Sequence, residues 1–165
     1  MSIRRLTTND YHIYKEIRLE MLKNEPSNFG SSFSDESKFQ DKQWIDRLSK
    51  DNVFTLGKFD NQKIVGITVL VLSPREKMRH GATIYSIYVR QDYRNKGFAQ
   101  ELINKATDLA RENQVEIVNL SVVTHNKKAL YLYNKLGFSI YGEEPKMIKY
   151  NGKYINQYLL FKEIK

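Results

Sequence analysis

The stretch Thr83-Ile84-Tyr85-Ser86-Ile87-Tyr88-Val89 runs through Arg90-Gln91-Asp92-Tyr93 into Arg94-Asn95-Lys96-Gly97-Phe98-Ala99-Gln100. Thr83 to Val89 is a run of β-branched and aromatic residues and reads as a strand. From Phe98 the apolar residues Phe98, Ala99, Leu102, Ile103, Ala106, Leu109 and Ala110 share one helical face, ending near Asn113. A strand, a glycine turn and a helix start aim unpaired backbone N–H groups and the positive end of a helix dipole at one point, which suits phosphate oxygens. Gly97 lets the backbone approach a pyrophosphate without a Cβ in the way, and Arg94 and Lys96 add charge at its edge. An ordinary turn with two solvated cations would use the same residues.

A second pattern lies about 30 residues on, at Asn126-Lys127-Lys128-Ala129-Leu130-Tyr131-Leu132-Tyr133-Asn134-Lys135-Leu136-Gly137-Phe138. Asn126 suits a helix N-cap, Ala129, Leu130, Tyr133 and Leu136 a packed face, and Gly137 a left-handed stop. Structural duties account for each residue singly. Their joint occurrence at these offsets is expected by chance on the order of once in ten thousand chains or less.

Outward from these motifs, Ile3 to Leu6 reads as a short strand. Thr8-Asn9-Asp10 opens a helix carrying Ile13, Ile17, Met21 and Leu22, closed by Asn24-Glu25-Pro26. Ser37 with Gln40 reads as a capping box before Trp44, Ile45 and Leu48. Val53 to Phe59 and Lys63 to Leu72 form an antiparallel hairpin, and Glu116 to Thr124 is a further strand. After a helix over about Lys127 to Leu136 come strands at Phe138 to Tyr141, Met147 to Tyr150 and Lys153 to Phe161. Tyr141 to Pro145 reads as a loop, and Asn151-Gly152 signals a two-residue hairpin turn. The order is that of a mixed α/β domain, read as one unit over residues 1–165.

The formal charge of +8 admits nucleic acid, an acidic membrane surface or a phosphorylated small molecule as partner. With no cysteine, disulfides, thiolate metal sites and a cysteine nucleophile are excluded, and no metal is expected. The start lacks the apolar run of a signal peptide, and nothing approaches the ~20 apolar residues of a membrane span, so the expected location is cytoplasmic and off the membrane. The cations form no single tract and the aromatics no stacking strip, which disfavours nucleic acid.

On Ile87-Tyr88-Val89 with Arg94-x-x-Gly97-x-Ala99, and on Asn126-x-x-Ala129-x-x-x-Tyr133-x-x-x-Gly137-Phe138, the chain resembles the GNAT superfamily of N-acetyltransferases. The resemblance covers the central and C-terminal parts closely and the N-terminal third mainly in element order. It implies a mixed, mostly antiparallel twisted sheet of about seven strands with about four helices, split into a V between the two central parallel strands. It further implies acetyl-CoA as cosubstrate, with the backbone of Ile87, Tyr88 and Val89 binding the pantetheine arm and the thioester carbonyl, the latter through the N–H of Ile87. Arg94, Asn95, Lys96, Gly97, Phe98, Ala99 and Gln100 would hold the pyrophosphate, Asn126 and Ala129 would border the arm, and Tyr133 would lie near the sulfur as general acid. The implied reaction is direct attack of a primary amine, a small amine or polyamine, an antibiotic amine or a protein amine.

No residue declares itself as base. His80 and His125 read as polar loop residues, and Glu20, Glu25, Asp35 and Glu36 are the carboxylates available to a cationic amine. A catalytically silent acyl-CoA-binding regulator is the alternative, and a homodimer is left open.

Overall fold

A computed structural model describes residues 1–165. Strand β1 (Ser2–Arg5) leads through a single 3₁₀ turn into α1 (Tyr11–Asn24), followed by α2 (Phe33–Glu36) and α3 (Asp41–Ser49). The N–H of Thr7 donates to Asp10 Oδ2 at 2.7 Å, which fixes the entry to that turn. Then come β2 (Val53–Asp60), β3 (Lys63–Leu72), β4 (Gly81–Val89), α4 (Phe98–Glu112), β5 (Ile117–Val123), α5 (Lys127–Lys135), β6 (Ser139–Tyr150) and β7 (Lys153–Glu163).

The seven strands form one sheet in the order β1-β2-β3-β4-β5-β7-β6. Every neighbouring pair is antiparallel except β4 and β5. That pair is in register only at Gly81–Ile117, Ala82–Val118 and Thr83–Asn119. Beyond Thr83 the two strands part, which is the expected V.

Three local readings are corrected. There are five helices rather than about four, because α2 is a one-turn helix that Ser32 caps through Asp35 N. Ser37 closes α2, its hydroxyl donating to Ser34 O, and so does not cap the next helix; Gln43 accepts the N–H of Gln40 at 2.8 Å and starts α3 instead. The segment Tyr141 to Pro145 is not a loop. It lies within the long edge strand β6, whose register with β7 shifts at Ile140/Gly142 and at Glu144/Ile148. An edge position tolerates Pro145, and the left-handed Lys146 sends its N–H to Asn156 Oδ1. Asn151 and Gly152 both have positive φ, as the two-residue turn requires.

Each face of the sheet carries its own core. Phe98, Leu102, Ile103, Ala106 and Ala110 of α4 pack on one face with Tyr133 of α5. On the other, Tyr14, Ile17, Met21 and Leu22 of α1 pack with Trp44 and Leu48 of α3. Truncating a fully buried residue such as Ile17 or Leu102 would cost on the order of 2–5 kcal/mol.

Candidate active site

Strand β4 changes phase at its centre. In a regular strand, residues two or four apart share a face. Here Ile84 joins the α4 core while Tyr88 joins the α1 core and Val89 returns to the α4 side. The cause is a one-residue bulge. Tyr85 registers with Val69 and Tyr88 with Ile67, so Ser86 and Ile87 together face Thr68 on β3. Ser86 carries it at φ +56°, an uncommon conformation for a non-glycine residue. The bulge lies where β4 has already left β5, so the backbone of Ser86–Ile87 borders the open V.

A cavity of about 970 Å³ fills the V. Its lining includes Ile87, Tyr88, Val89, Arg94, Asn95, Gly97, Phe98, Ala99, Gln100, Asn126, Ala129 and Tyr133. Lys96 alone of the expected residues is not on this wall; its ammonium lies 5.1 Å from the centre of the Tyr93 ring. Arg94 lines the cavity, but its guanidinium is already engaged, with Nε donating to Val89 O at 2.9 Å and Nη2 to Glu25. Of the two cations expected at this edge, Arg94 lines the cavity already paired and Lys96 turns toward Tyr93.

Gly97 is the N-cap of α4 at φ +80°, and Asn95 before it is also left-handed. No atom lies within 4 Å of where a Cβ of residue 97 would stand, so conformation rather than space calls for glycine. No side chain caps this helix, and its first bond along the main chain is Glu101 N to Gly97 O. The N–H groups of the first turn, which Phe98, Ala99 and Gln100 carry, therefore lack helical acceptors and open on the cavity. Such a row at the positive end of a 15-residue helix suits an anion.

Across the V, Asn126 Oδ1 accepts the N–H of Ala129 at 3.1 Å and caps α5, which leaves the amide nitrogen for the cavity. Tyr133 is 6% exposed and packs edge-on against Phe138, whereas Tyr131 is 73% exposed. Burial, then the negative charge of Glu25, push the Tyr133 phenol well above its usual range.

The expected carboxylates are mostly committed elsewhere. Glu20 accepts from the Tyr88 hydroxyl and pairs with Arg90, and Asp35 is exposed in α2. Glu36 is 3% exposed and accepts from Arg18 Nε at 3.0 Å and Nη2 at 2.9 Å, and from both terminal nitrogens of Arg47 at 3.0 Å. Burial alone would raise this carboxyl; the hydrogen bonds from Arg18 and then Arg47, with their charges, hold it at about 2. Arg18 also donates to Ser86 Oγ at 2.6 Å and to Ser31 Oγ at 3.1 Å, tying the cluster to the bulge. Only Glu25 among the acids faces the cavity. His125 bonds Asn28, and neither it nor His80 lines the cavity. Sequence reading missed the bulge, Arg18 and Arg47. Ser86 between Ile84 and Tyr88, a polar residue in phase with two buried ones, was a usable signal for the first.

Residues 16–138 match the family described as the acetyltransferase (GNAT) family. An uncharacterized N-acetyltransferase of Methanocaldococcus jannaschii is 34% identical over 110 residues, 65% of this chain, and the match spans about half of that relative's length, 46%. A GNAT-family acetyltransferase from Streptococcus pneumoniae superposes with a TM-score of 0.86 at 27% identity, over 99% of both chains. An acetyltransferase from Salmonella typhimurium, solved with its cofactor acetyl-CoA, superposes with a TM-score of 0.83 at 16% identity, over 100% of this chain and 94% of that one. A parted pair of parallel strands, a bulge at the parting, an uncapped helix start and a family match over most of the length agree, and the chain belongs to the acetyltransferase (GNAT) family.

Proposed function

We propose that this protein is an N-acetyltransferase that moves the acetyl group of acetyl-CoA onto a primary amine by direct attack. One observation carries the reading: a single cavity gathers an open row of helix N–H groups, a bulged strand edge and a buried phenol. The acetyl-CoA in the related Salmonella structure supports the choice of donor.

The donor supplies an activated thioester; this chain supplies orientation and dipoles. Gly97, Phe98, Ala99 and Gln100 present main-chain donors to the pyrophosphate, with Arg94 and Asn95 bordering them. Lys96 is close enough in sequence to contribute only a general field. Main-chain groups of Ile87, Tyr88 and Val89 align the pantetheine arm, assisted by the Asn126 amide and by the small Ala129 wall. The Ile87 N–H, at the bulge bordering the cavity, is the donor for charge developing on the thioester oxygen.

Tyr133 acts as hydrogen-bond acid toward the departing sulfur. Its phenol, pushed above the ordinary 10, stays protonated throughout the working pH range. A thiol near pKa 8.5 is the stronger acid, so full transfer from tyrosine to the thiolate is uphill. Tyr133 therefore steadies the sulfur, and the proton that finally resides there originates on the amine.

The test is free-thiol release from acetyl-CoA over a panel of amines, run beside thermal unfolding. At a hundredfold excess over its Kd, acetyl-CoA would add about 2.7 kcal/mol and raise Tm by roughly 5–10 °C. Absence of both thiol release and a Tm rise would refute the reading; a Tm rise without release on any amine would favour the silent regulator.

A further inference from the structure

The end of the cavity away from α4 is built for negative charge. The lining carries Arg18, Arg47, Lys50, Arg94 and Lys128 against one carboxylate, Glu25. Arg94 pairs with Glu25, and Lys128 donates to Asn95, both beside the α4 start. That leaves Arg18, Arg47 and Lys50 at the opposite end, where Ser31, Thr55 and Val69 also line the wall. Behind them Glu36 neutralises one guanidinium of two, and the Lys50 ammonium joins no ion pair. These three cations and Glu36 sum to a charge near +2.

Donor counting agrees. A guanidinium has five N–H groups. Arg18 spends four, two on Glu36 and one each on Ser31 and Ser86; Arg47 spends two, both on Glu36. One N–H group of Arg18 and three of Arg47 are left beyond these bonds, and the Arg47 side chain is the more exposed of the two, so a carboxylate would meet Arg47 first. The Ser86 contact puts Arg18 one hydrogen bond from the bulge, so anion and reacting amine would be neighbours. A second ammonium about 6 Å from one net cation, at an effective dielectric of about 20, would be disfavoured about a hundredfold.

We propose that the acceptor carries a carboxylate close to its amine, a free amino acid by chemical class, and that Arg18, Arg47 and Lys50 form its carboxylate subsite. This rests on the N-acetyltransferase reading above. In the reaction the amine nitrogen bonds the acetyl carbon, the C–S bond breaks, and the sulfur leaves with the electron pair and receives the proton the nitrogen loses. The carboxylate is unchanged and serves only to hold the amine in place. The arrangement excludes polyamines as good substrates.

The experiment uses matched acceptors at pH 8: a set of amino acids, each beside its carboxamide and its decarboxylated amine, with spermidine as a polycation and an amino-terminal peptide beginning with the same residue. Thiol release gives kcat/KM, and acetyl-CoA-induced Tm shifts are read in parallel. Losing the carboxylate is expected to lower kcat/KM at least about 30-fold. Arg47→Gln is expected to lower it about 10- to 100-fold for the amino acid and less than about 3-fold for the carboxamide. Arg47→Gln also takes a partner from buried Glu36, so Lys50→Gln, at the exposed rim, is the second variant; it is expected to lower kcat/KM about 3- to 10-fold for the amino acid alone. A carboxamide, decarboxylated amine, peptide or spermidine used as well as the amino acid overturns the carboxylate subsite while leaving the N-acetyltransferase reading intact. So do variants that lower both members of a matched pair equally. Absence of both thiol release and a Tm shift overturns both.

Discussion

Removing the Glu36 carboxylate should destabilise the fold by about 3–5 kcal/mol at pH 7. The group is 3% exposed and accepts four charge-assisted hydrogen bonds from Arg18 and Arg47, so truncation leaves the Arg18 charge buried without its partner. The proton equilibrium gives a similar figure: a fall from the ordinary 4.5 to about 2 is worth about 3 kcal/mol at 1.36 kcal/mol per unit. Between those two values the unfolded chain binds the proton and the folded chain does not, so stability rises with pH. The contribution is full above about pH 4.5 and disappears as pH falls through about 2. Urea unfolding of the wild type and of Glu36→Gln at pH 7, 4 and 3 reads this directly. The gap between them should be largest at pH 7 and should narrow by about 1.4 kcal/mol for each unit below 4.5. Asp10, held at about 2 chiefly by its Arg4 hydrogen bond, titrates in both proteins and drops out of the difference. A gap under about 1 kcal/mol at pH 7, or one independent of pH, would mean that the Glu36 ion pairs do not carry this stability. In thermal terms the expected loss is roughly 6–20 °C of Tm for a chain of this length.

Tyr133→Phe should lower kcat about 10- to 100-fold, with the KM for acetyl-CoA within about 3-fold and stability within about 1 kcal/mol; steady-state kinetics and urea melts check all three. Gly97→Ala should cost about 1–2 kcal/mol through its φ of +80° and weaken acetyl-CoA binding by calorimetry, with Gly97→Asn milder on both counts because asparagine enters the left-handed region more readily. The cavity lining carries Glu25, paired with Arg94, as its one carboxylate, and on the proposed reaction an amine would then arrive neutral. Stopped assays should show kcat/KM rising about tenfold per pH unit up to the acceptor's own amine pKa; a plateau well below it would reveal a base in the chain.

The parts of this fold that were legible are those with local causes. Gly97, Asn126, Gly137 and Asn151-Gly152 set turns or caps within a few residues of themselves, and helices α4 and α5 fell where expected. The breaks came where partners are distant in sequence. Ser37 loses the cap of α3 to Gln40 and Gln43 because one extra turn, α2, intervenes, and nothing in a capping pattern registers that competitor. Tyr141 to Pro145 has loop composition, yet β7 lies along it and draws it into the sheet. The site shows the same division. Every cofactor-contact residue expected from the two motifs except Lys96 lines the cavity, with Gly137 and Phe138 serving the fold behind it, while Arg18, Glu36, Arg47 and Ser86 come from four separate segments and each looks locally like a surface or strand residue. Arg94 lines the cavity as its motif implies, and its pairing with Glu25, 69 residues away, was not legible locally.

On the proposed function, acetyl-CoA lies in the V with its pyrophosphate on the start of α4 and its thioester at the β4 bulge. Titrating acetyl-CoA into ¹⁵N-labelled protein and following backbone amides tests it residue by residue. The largest shifts are expected at Gly97, Phe98, Ala99 and Gln100, a second group at Ser86, Ile87 and Val89, and little change on the outer β1–β2 edge. Shifts that miss the α4 start, or that are confined to exposed lysines outside the cavity, would contradict it.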